Sequence, residues 1–586
     1  MNIFNIPRLP QKDSNRDSRK RILEESSKDF IYDDSAIQGV PISLKVPNVA
    51  KAGLGWSMTL VGEAYRNRRN WEDIDETQQY VFELPLPHKS TIEIATILAK
   101  QDLVGFQDYT SPERGVCINV KRPESFQTYY DLFHKYDIPE ISLDESDDSF
   151  ADYFVQGLNP VMIQSISTLK DNYNLSNDEV ANHLLFEGDD LDSLLEDRRL
   201  FVVDYSALEG LESGHHPDQK KYIYSPIVYL AVDKNTESLE VLGVQTGQSN
   251  DYPIITNRDQ KWDWFVAKMI ARSADINYHE GITHLGLTHL LIDPVAVSTF
   301  KNLSKNHPLY VLLAPHFEGT LPINDLAVRR LISKGGIVEQ LLAPNLDSLF
   351  DTISTARNSF SFRGNFLPKT FEARGVTGKS TLKNYAYRDD SLLIWNSIRT
   401  WVKSYIELYY KNEKDIQEDY ELSNWVRDIS SSEGGRVKDF TPKEGIQTFK
   451  VLEETLTMII FTASAQHAAV NFPQEYASNM IYQPLAGYSP APKTKGLSEQ
   501  DVLDFLPPID LAIKQLHILK LLGSSYYSVL GEYSLGTFND KRVVPRLWNF
   551  QERLEKIEGK INNRNKTRRN EYKHLLPSKI PQSINI

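Results

Sequence analysis

Cysteine is almost absent from this sequence: Cys117 is the one cysteine among 586 residues. An intramolecular disulfide is therefore impossible, and a cluster of thiolates is excluded as a way of holding a metal. Any bound metal would need ligands that are mainly nitrogen and oxygen. A chain without disulfides is compatible with the reducing cytoplasm, where we expect this protein to work.

Long apolar runs and an excess of positive charge are also missing. No window of about 18 uncharged apolar residues occurs, and the first twenty residues lack a signal-peptide core, so we expect no bilayer-spanning helix. The 79 acidic and 65 basic residues give a formal net charge of -14. An acidic surface repels phosphates, so we expect no nucleic-acid partner. Peripheral contact with a membrane is not excluded by these features.

The residues that are present suit an ordinary globular protein, with 40% hydrophobic and 25% charged residues. Residues 1–40 are polar and charged, which predicts a poorly anchored N-terminal arm. From about residue 41 to residue 586 the composition is globular, and neither repeats nor a low-complexity linker interrupt it. We therefore expect one large domain over 41–586.

Apolar periodicity predicts that this domain is mainly α-helical with a few short β-strands. Apolar residues recur at spacings of three and four over four helix-like lengths: Trp262–Phe300, Asp389–Tyr410, Glu444–Phe472 and Asp501–Tyr527. Two further apolar runs flank a polar turn within Tyr222–Val244, and this pattern indicates a β-hairpin.

Three of the 13 histidines, His279, His284 and His289, lie within eleven residues. For an isolated histidine, a core or surface position is the usual interpretation, but neutral imidazole is also the commonest side chain that binds transition metals. Each histidine is five residues from the next, a step of about 140° on a regular helix, so neighbouring rings would diverge. Convergence on one ion requires π-helical winding. Spacing alone does not decide which adjacent pair would bind.

A second candidate pair lies in the apolar run Ile460–Phe472, where His467 and Asn471 are four residues apart. On a helix this step is about 40°, so both side chains can face one ion. Buried polar groups need partners, because an unsatisfied one costs about 1–3 kcal/mol. Core residues hydrogen-bonded to nearby main chain are the alternative interpretation.

Taken together, these segments resemble the lipoxygenases. The histidine run follows a block at Trp264–Lys268 (WFVAK), and the helix around His467 is similar to the second signature of that family. The matching blocks also include His307–Tyr310 (HPLY), Pro315-His316, Ile323–Ala327 (INDLA), Gly335–Glu339 (GGIVE) and the chain end Ile580–Ile586 (IPQSINI). The resemblance is weak before residue 220 and strong after residue 260.

The resemblance implies one non-haem iron per chain, and it selects the ligands. The last histidine of the family's run precedes an acidic-Pro pair by four residues, here Asp293-Pro294, so His279 becomes a supporting residue that hydrogen-bonds behind the ligands. By spacing alone, Glu280 or Asp293 could supply the anionic oxygen instead of the chain end. The implied ligands are His284, His289, His467, the weak oxygen ligand Asn471 and the main-chain carboxylate of Ile586.

The implied activity is that of an oxidoreductase in oxylipin biosynthesis. A lipoxygenase abstracts a bis-allylic hydrogen from a polyunsaturated fatty acid such as linoleate or linolenate and adds O2, which gives a conjugated-diene hydroperoxide. No catalytic side chain is implied beyond the hydroxide on the iron. Leu331 and Val338 should line the apolar slot, and Ala327 matches the position associated with stereochemistry. Each could instead be an ordinary core residue.

The front of the chain differs from the eukaryotic members, which carry an N-terminal β-barrel. Residues 1–60 lack the alternating strands of a barrel, so we expect a barrel-less, bacterial-type member with a single catalytic domain. The stretch Trp56–Arg69 combines apolar and basic residues, which suits either contact with lipid or packing as an ordinary helix.

Three other functions compete with this interpretation. A zinc hydrolase would use His279, Glu280 and His284, and would depend on Glu280 but not on the chain end. A non-catalytic lipid-binding or structural helical protein would bind no stoichiometric metal. Within the same family, the alternative is a hydroperoxide isomerase.

Overall fold

The computed structural model describes residues 6–50, 122–181, 183, 188–216, 219–378, 382–524 and 528–586, with a few isolated positions between residues 50 and 122. In these ranges the protein is mainly α-helical with a few short strands, as the sequence predicts. Most of the stretch Trp56–Arg69 lies outside the described residues, so the structure does not test its predicted contact with lipid.

The described strands form a five-stranded antiparallel sheet and three two-stranded ones. The larger sheet has the order β11-β10-β9-β6-β5, and its centre is the predicted hairpin, in which Val232 pairs with Leu239 and Ile227 with Gln245. The strands are β1 Tyr32–Asp33, β2 Ile42–Ser43, β3 Phe82–Glu83, β4 Val116–Cys117, β5 Gln164–Ser165, β6 Leu200–Asp204, β7 His215–His216, β8 Gln219–Lys220, β9 Ile227–Val232, β10 Leu239–Gln245 and β11 Ile254–Ile255.

Twenty α-helices lie in the described ranges. They are α1 Arg16–Ser27, α2 Phe126–Tyr130, α3 Asp147–Gln156, α4 Asn177–Ala181, α5 Leu191–Glu196, α6 Lys261–Tyr278, α7 Leu290–Asn302, α8 Pro308–Leu313, α9 Thr320–Leu326, α10 Ile337–Leu341, α11 Leu346–Ser359, α12 Leu367–Ala373, α13 Ala386–Ile406, α14 Glu413–Gln417, α15 Tyr420–Ser430, α16 Phe449–Phe461, α17 His467–Asn471, α18 Glu499–Phe505, α19 Ile509–Ser524 and α20 Val544–Asn565. None of these helices is both long and apolar enough to cross a bilayer.

Three π-helical segments lie between α-helices: His279–His289 joins α6 to α7, Ala327–Leu331 follows α9, and Thr462–Gln466 joins α16 to α17. Short 3-10 turns complete the helical structure at Pro10–Lys12, Asn48–Ala50, Glu140–Leu143, Ser206–Leu208, Ala314–Phe317, Phe472–Ser478 and Pro577–Lys579. The stretch that carries His279, His284 and His289 and the stretch that carries His467 are therefore continuous helices. In each, α-helical winding changes to π-helical winding and back.

Three of the four segments with helix-like apolar spacing are mainly helical, as predicted, and the fourth consists of two helices. Asp501–Tyr527 was predicted as one helix, but α18 ends at Phe505 and α19 begins at Ile509. Pro507 and Pro508 separate them, because proline lacks the N–H that continues a helix and disfavours helical geometry in the residue before it. The apolar period crosses this break because both helices face the same core.

The described part of the N-terminal segment, residues 6–40, is held to the helical domain, although its polar composition predicts a poorly anchored arm over residues 1–40. Arg19 on α1 is only 3% exposed and forms a two-pronged ion pair with the fully buried Glu421 on α15. Phe30 is buried and stacks on Phe300 of α7. The polar composition misled the prediction because the charge that holds this segment has its partner about 400 residues away.

We expect the substitution Arg19→Met to destabilise the protein by about 3–5 kcal/mol, because it leaves the Glu421 carboxylate buried without its cation. Chemical denaturation monitored by circular dichroism measures this loss. Lys12→Met is the matched control, since the Lys12 side chain in its pair with Asp415 is 46% exposed, and its loss should cost less than about 1 kcal/mol. Equal effects of the two substitutions would contradict the assigned anchor.

Candidate metal centre

The segment that carries three histidines is wound as a π-helix from His279 to His289. The N–H of Leu290 donates to the carbonyl of Leu285, five residues back. In such a helix residues i and i+5 lie roughly above one another, so a five-residue spacing brings side chains to the same face. The π-winding required by the sequence is therefore present over the whole run.

Gly281 allows a neighbouring helix to cross this π-segment closely, whereas a Cβ on Gly286 would make only an ordinary van der Waals contact with that helix. A Cβ atom on Gly281 would lie 2.8 Å from Cδ1 of Leu349, and one on Gly286 would lie 3.7 Å from Cγ2 of Ile353. Leu349 and Ile353 are buried residues of α11. Helix α11 therefore packs against the π-segment and supports its unusual winding.

The second histidine helix also contains a π-segment, Thr462–Gln466, directly before α17. The four-residue step from His467 to Asn471 falls within the α-helical part, as the sequence predicts. The π-segment itself was not predicted, because its residues are small and carry no periodic polar signal. All of α17 is buried.

The Nε2 atoms of His284, His289 and His467 form a compact triangle. His289 Nε2 lies 3.1 Å from both other Nε2 atoms, and His284 Nε2 lies 3.4 Å from His467 Nε2. Three nitrogens bound to one metal at about 2.1 Å, with angles of about 90–110°, would be separated by about 3.0–3.4 Å. The triangle therefore has the size of a metal site.

Hydrogen bonds fix the orientation of two of the histidine rings. Nδ1 of His289 donates to Oδ1 of Asn324 at 2.8 Å, which leaves its Nε2 as the lone-pair nitrogen. Nε2 of His279 donates to the main-chain oxygen of Val470 at 2.6 Å. His279 therefore links the π-segment to α17 and lies behind the triangle, as expected for a supporting residue.

Asp293 is one of the two side-chain acids that, by spacing alone, could be a metal ligand. Its carboxylate instead accepts hydrogen bonds from two other residues. Its Oδ1 accepts from the main-chain N–H of Ser43 and its Oδ2 from Nδ2 of Asn324, each at 2.8 Å. Burial raises the pKa of Asp293 to about 6 although the Asn324 and Ser43 bonds lower it. Asp293 thus acts through Asn324, which holds the ring of His289.

Glu280, the other acid, faces the side of His284 away from the triangle. Its carboxylate oxygens lie 3.4 Å from His284 Nδ1 and 3.5 Å from His279 Nδ1. Burial favours a raised pKa of Glu280, but hydrogen bonds and charge from the two histidines outweigh it and hold that pKa well below its usual range. The set His279, Glu280 and His284 is a second group whose ligand atoms lie near one another.

Asn471 and the chain end reach the triangle from two other directions. Oδ1 of Asn471 accepts from Gln474 at 2.9 Å and also interacts with the ring of His284, while its Nδ2 donates to the carbonyl of Leu522. The main chain of Ile586 lies beside the ring of His467, where it acts to raise the pKa of that ring against the larger effect of burial. All five residues expected at the metal therefore belong to one cluster.

The last residues are held in place by hydrogen bonds along their length. The contacts are His316 Nδ1 to Gln582 O at 2.8 Å, Ser583 Oγ to Glu318 O at 2.6 Å, Thr320 Oγ1 to Ile584 O at 2.9 Å, and Trp56 Nε1 to Asn585 O. Gly319, at φ 81°, leaves room for the tail, because a Cβ there would lie 2.9 Å from Cβ of Asn585. The tail is thus clamped against the segment before α9.

The electrostatics of the triangle favour neutral imidazoles. Burial, followed by the charge of His284, lowers the pKa of His289 to about 3. Burial also lowers the pKa of His284, and it lowers that of His467 well below the usual value. Neutral rings present lone pairs to a cation, and three imidazoles with amide and carboxylate oxygens suit a transition metal such as iron. The residues present fit the implied metal.

A buried arginine supports the helix that follows the π-segment. Pro294 lies inside α7 and has no N–H to give to the carbonyl of Leu290. Nε of Arg357 donates to that carbonyl, and its Nη2 donates to the carbonyl of Gly435, each at 3.3 Å. Burial lowers the pKa of Arg357 to about 10. The sequence offered no signal for this role, whereas Asn324 lies in one of the matching blocks.

The residues predicted to line the substrate slot lie on neighbouring elements. Ala327 is buried and begins the second π-segment, one turn after Asn324, while Leu331 and Val338 are half-buried. None of the three is among the described residues that line a 290 Å³ cavity between the two histidine-bearing helices. That cavity is bordered by residues such as Leu287 and Gln466. The slot itself stays a prediction.

Comparisons with known proteins agree with the geometry. The lipoxygenase family model matches residues 113–581. Linoleate 9/13-lipoxygenase of Pseudomonas aeruginosa is 38% identical over 476 residues, which are 77% of this chain and 68% of that protein. The hydroperoxide isomerase ALOXE3 of Homo sapiens is 33% identical over 451 residues, 75% of this chain and 62% of that protein. This chain thus matches less than two thirds of the human relative.

A solved structure is similar over nearly the whole chain. The crystal structure of coral 8R-lipoxygenase superposes with a TM-score of 0.84 at 26% sequence identity, and the match covers 99% of this chain and 83% of that one. The fold described above is therefore shared with proteins whose sequences have diverged considerably.

Replacing Asn324 by leucine should weaken metal binding by about 10–100-fold, because the ring of His289 loses the acceptor that orients it. Titration of the metal-free protein with Fe²⁺ in the absence of oxygen measures this affinity. Asn565→Leu is the matched control, since Asn565, the last residue of α20, is also buried and hydrogen-bonded, but to the main chain of Tyr572. An unchanged affinity in Asn324→Leu would argue against this supporting role.

Proposed function

The chain belongs to the lipoxygenase family, and we propose that it is an iron dioxygenase that converts polyunsaturated fatty acids into conjugated-diene hydroperoxides. The observation that carries the proposal is the triangle of three Nε2 atoms 3.1–3.4 Å apart, beside the buried chain end. The relative named for linoleate supports a fatty acid of that class as the substrate.

The proposed ligands are His284, His289 and His467, with Asn471 and the carboxylate of Ile586 as oxygen ligands. When bound there, iron supplies the one-electron chemistry that removes a hydrogen atom from a methylene between two double bonds. The hard anionic oxygen of the chain end suits iron better than a site of neutral ligands alone. Manganese is the metal in the name of one solved relative, which at 18% identity shares only the fold.

The chain's own residues hold the site in one arrangement. Asn324 keeps the proton of His289 on Nδ1, so the Nε2 lone pair of that ring stays directed at the metal. His279 donates its Nε2 proton to the carbonyl of Val470 and so ties the π-segment to α17. Burial of all three ligand rings excludes bulk water, which protects a carbon radical from side reactions. Ala327, Leu331 and Val338 are proposed to line the slot that positions the reacting carbon.

Two other functions remain as outcomes of the tests. Hydroperoxide isomerisation is supported by the human relative of that name, and it predicts consumption of fatty-acid hydroperoxide without uptake of O2. A zinc hydrolase is supported by the proximity of His279, Glu280 and His284, and it predicts zinc in the protein and loss of activity in Glu280→Gln. We propose a cytoplasmic location on the basis of the single cysteine.

Deletion of Ile586 tests the proposal, because it draws the terminal carboxylate back by about 3.8 Å. We expect iron affinity to fall by about 10–100-fold, and O2 uptake and conjugated-diene absorbance with linoleate to fall at least as much. Ile586→Val is the matched control, since it keeps the chain-end carboxylate at its place, and it should retain both iron and activity.

Two results would contradict the proposed function. One is an intact protein that contains no iron after expression in iron-replete medium and gains no activity when iron is added. The other is full activity in the chain that lacks Ile586. Zinc content with hydrolytic activity would favour the hydrolase, and hydroperoxide consumption without O2 uptake would favour the isomerase.

A further inference from the structure

The segment from Gly531 to Trp548 contains Leu535 and Trp548, the two most exposed large apolar residues of the described part of the chain. The side chain of Leu535 is fully exposed, Trp548 is 66% exposed, and Val544 is 36% exposed. Tryptophan is rarely left in water by a protein, because its burial contributes a large hydrophobic free energy. An exposed group of this kind indicates an interaction surface.

One buried ring holds the two parts of this surface together. Trp401 contacts Tyr533 at 6.1 Å and Phe538 at 5.8 Å between ring centroids, and it stacks on Phe550 at 5.6 Å. Leu535 is at the tip of the loop between Tyr533 and Phe538, where Gly536 turns at φ 87°. Trp548 precedes Phe550 by two residues. The loop that carries Leu535 and the helix that carries Trp548 therefore both pack on the ring of Trp401.

Val544 and Trp548 lie on the same face of α20, because residues four apart on a helix differ by about 40°. They begin that helix, directly after the loop. The exposed apolar group therefore consists of Leu535 from the loop and Val544 and Trp548 from the helix, and we call it the Trp548 surface.

Basic residues accompany the Trp548 surface on an otherwise acidic protein. Residues 535–548 contain Lys541, Arg542 and Arg546 but only one acid, Asp540, while the whole chain has a net charge of -14. Asp540 is 2% exposed and pairs with Arg542. Arg546 donates only to main-chain oxygens, those of Ser404 and Arg542. The whole segment Gly531–Trp548 also contains the exposed Glu532, so it carries three basic and two acidic residues, and Glu552, one turn after Trp548, pairs with Lys556. A small net positive charge therefore lies beside the apolar side chains.

We propose that the Trp548 surface docks on an anionic lipid bilayer, with Leu535, Val544 and Trp548 among the acyl chains and Lys541 and Arg546 against the headgroups. Apolar and aromatic side chains bordered by basic ones are the pattern of interfacial membrane contacts. The inference extends the proposed function, because a water-insoluble fatty acid is supplied from a lipid phase. A second copy of the chain fits less well, since a two-fold contact would place the basic residues against themselves.

A cavity of 640 Å³ adjoins the same loop. It is lined by Tyr533, Ser534 and Thr537 of the loop and by Gln582 of the C-terminal tail. Gln582 is four residues from the chain end that belongs to the metal cluster. The cavity therefore lies between the loop that carries Leu535 and the buried C-terminal tail.

The test is co-sedimentation of the full chain with vesicles of phosphatidylcholine alone or mixed with phosphatidylglycerol. We expect binding to the mixed vesicles that weakens as salt is added. Leu535→Ser with Trp548→Ser should reduce this binding by at least about tenfold. Lys541→Gln with Arg546→Gln should reduce it by about tenfold on mixed vesicles only. Ile22→Ser with Leu143→Ser is the matched control, because these exposed apolar residues lie elsewhere.

Circular dichroism and O2 uptake with detergent-dispersed linoleate accompany the binding assay, and both should be unchanged in the Leu535 and Trp548 variant. An intact chain that binds no vesicles overturns the docking surface, whatever its activity. Concentration-dependent dimerisation that this variant abolishes, without vesicle binding, also overturns it in favour of a contact between copies. Vesicle binding by a chain that fails the linoleate assay would leave the docking surface standing and refute the proposed function alone.

Discussion

The five-residue spacing of the histidines constrains the centre of this molecule, because only π-winding allows His284 and His289 to approach one ion together. π-winding gives up regular α-helical bonding, so other elements must support the segment. Helix α11 packs on its two glycines, Arg357 supplies the bond that Pro294 removes, and Asn324 ties the ring of His289 to Asp293. The geometry of the metal site therefore depends on the helices and side chains that pack around the π-segment.

The chain end, as a proposed metal ligand, likewise requires support from elements distant in sequence. A carboxylate at the last residue can reach a buried centre only if the tail is held along its length. His316 and Thr320 donate to carbonyls of the tail, and Ser583 of the tail donates to the carbonyl of Glu318. The N-terminal segment is likewise fixed, through Arg19 and Glu421. The segment around Arg19 and the C-terminal tail are thus both packed into the folded domain. Ile586 is thus both a buried residue of the fold and a proposed ligand of the metal.

The sequence was sufficient to predict the mainly helical fold, the hairpin and the need for π-winding, because each follows from the spacing of residues close in sequence. Resemblance supplied the choice of the pair His284 and His289 over the pair His279 and His284, which spacing left open. The sequence did not reveal the roles of Arg357 and Asn324, the anchor at Arg19, or the π-segment before His467. These depend on partners distant in sequence or on small residues that carry no period.

The most direct test of the central claim is a crystal structure of the iron-loaded chain with anomalous data collected on both sides of the iron absorption edge. The account predicts one iron peak per chain, about 2.0–2.3 Å from the Nε2 atoms of His284, His289 and His467, with the carboxylate of Ile586 bound to it. An ion held instead by His279, Glu280 and His284, or a chain end that points away from the metal, would contradict it.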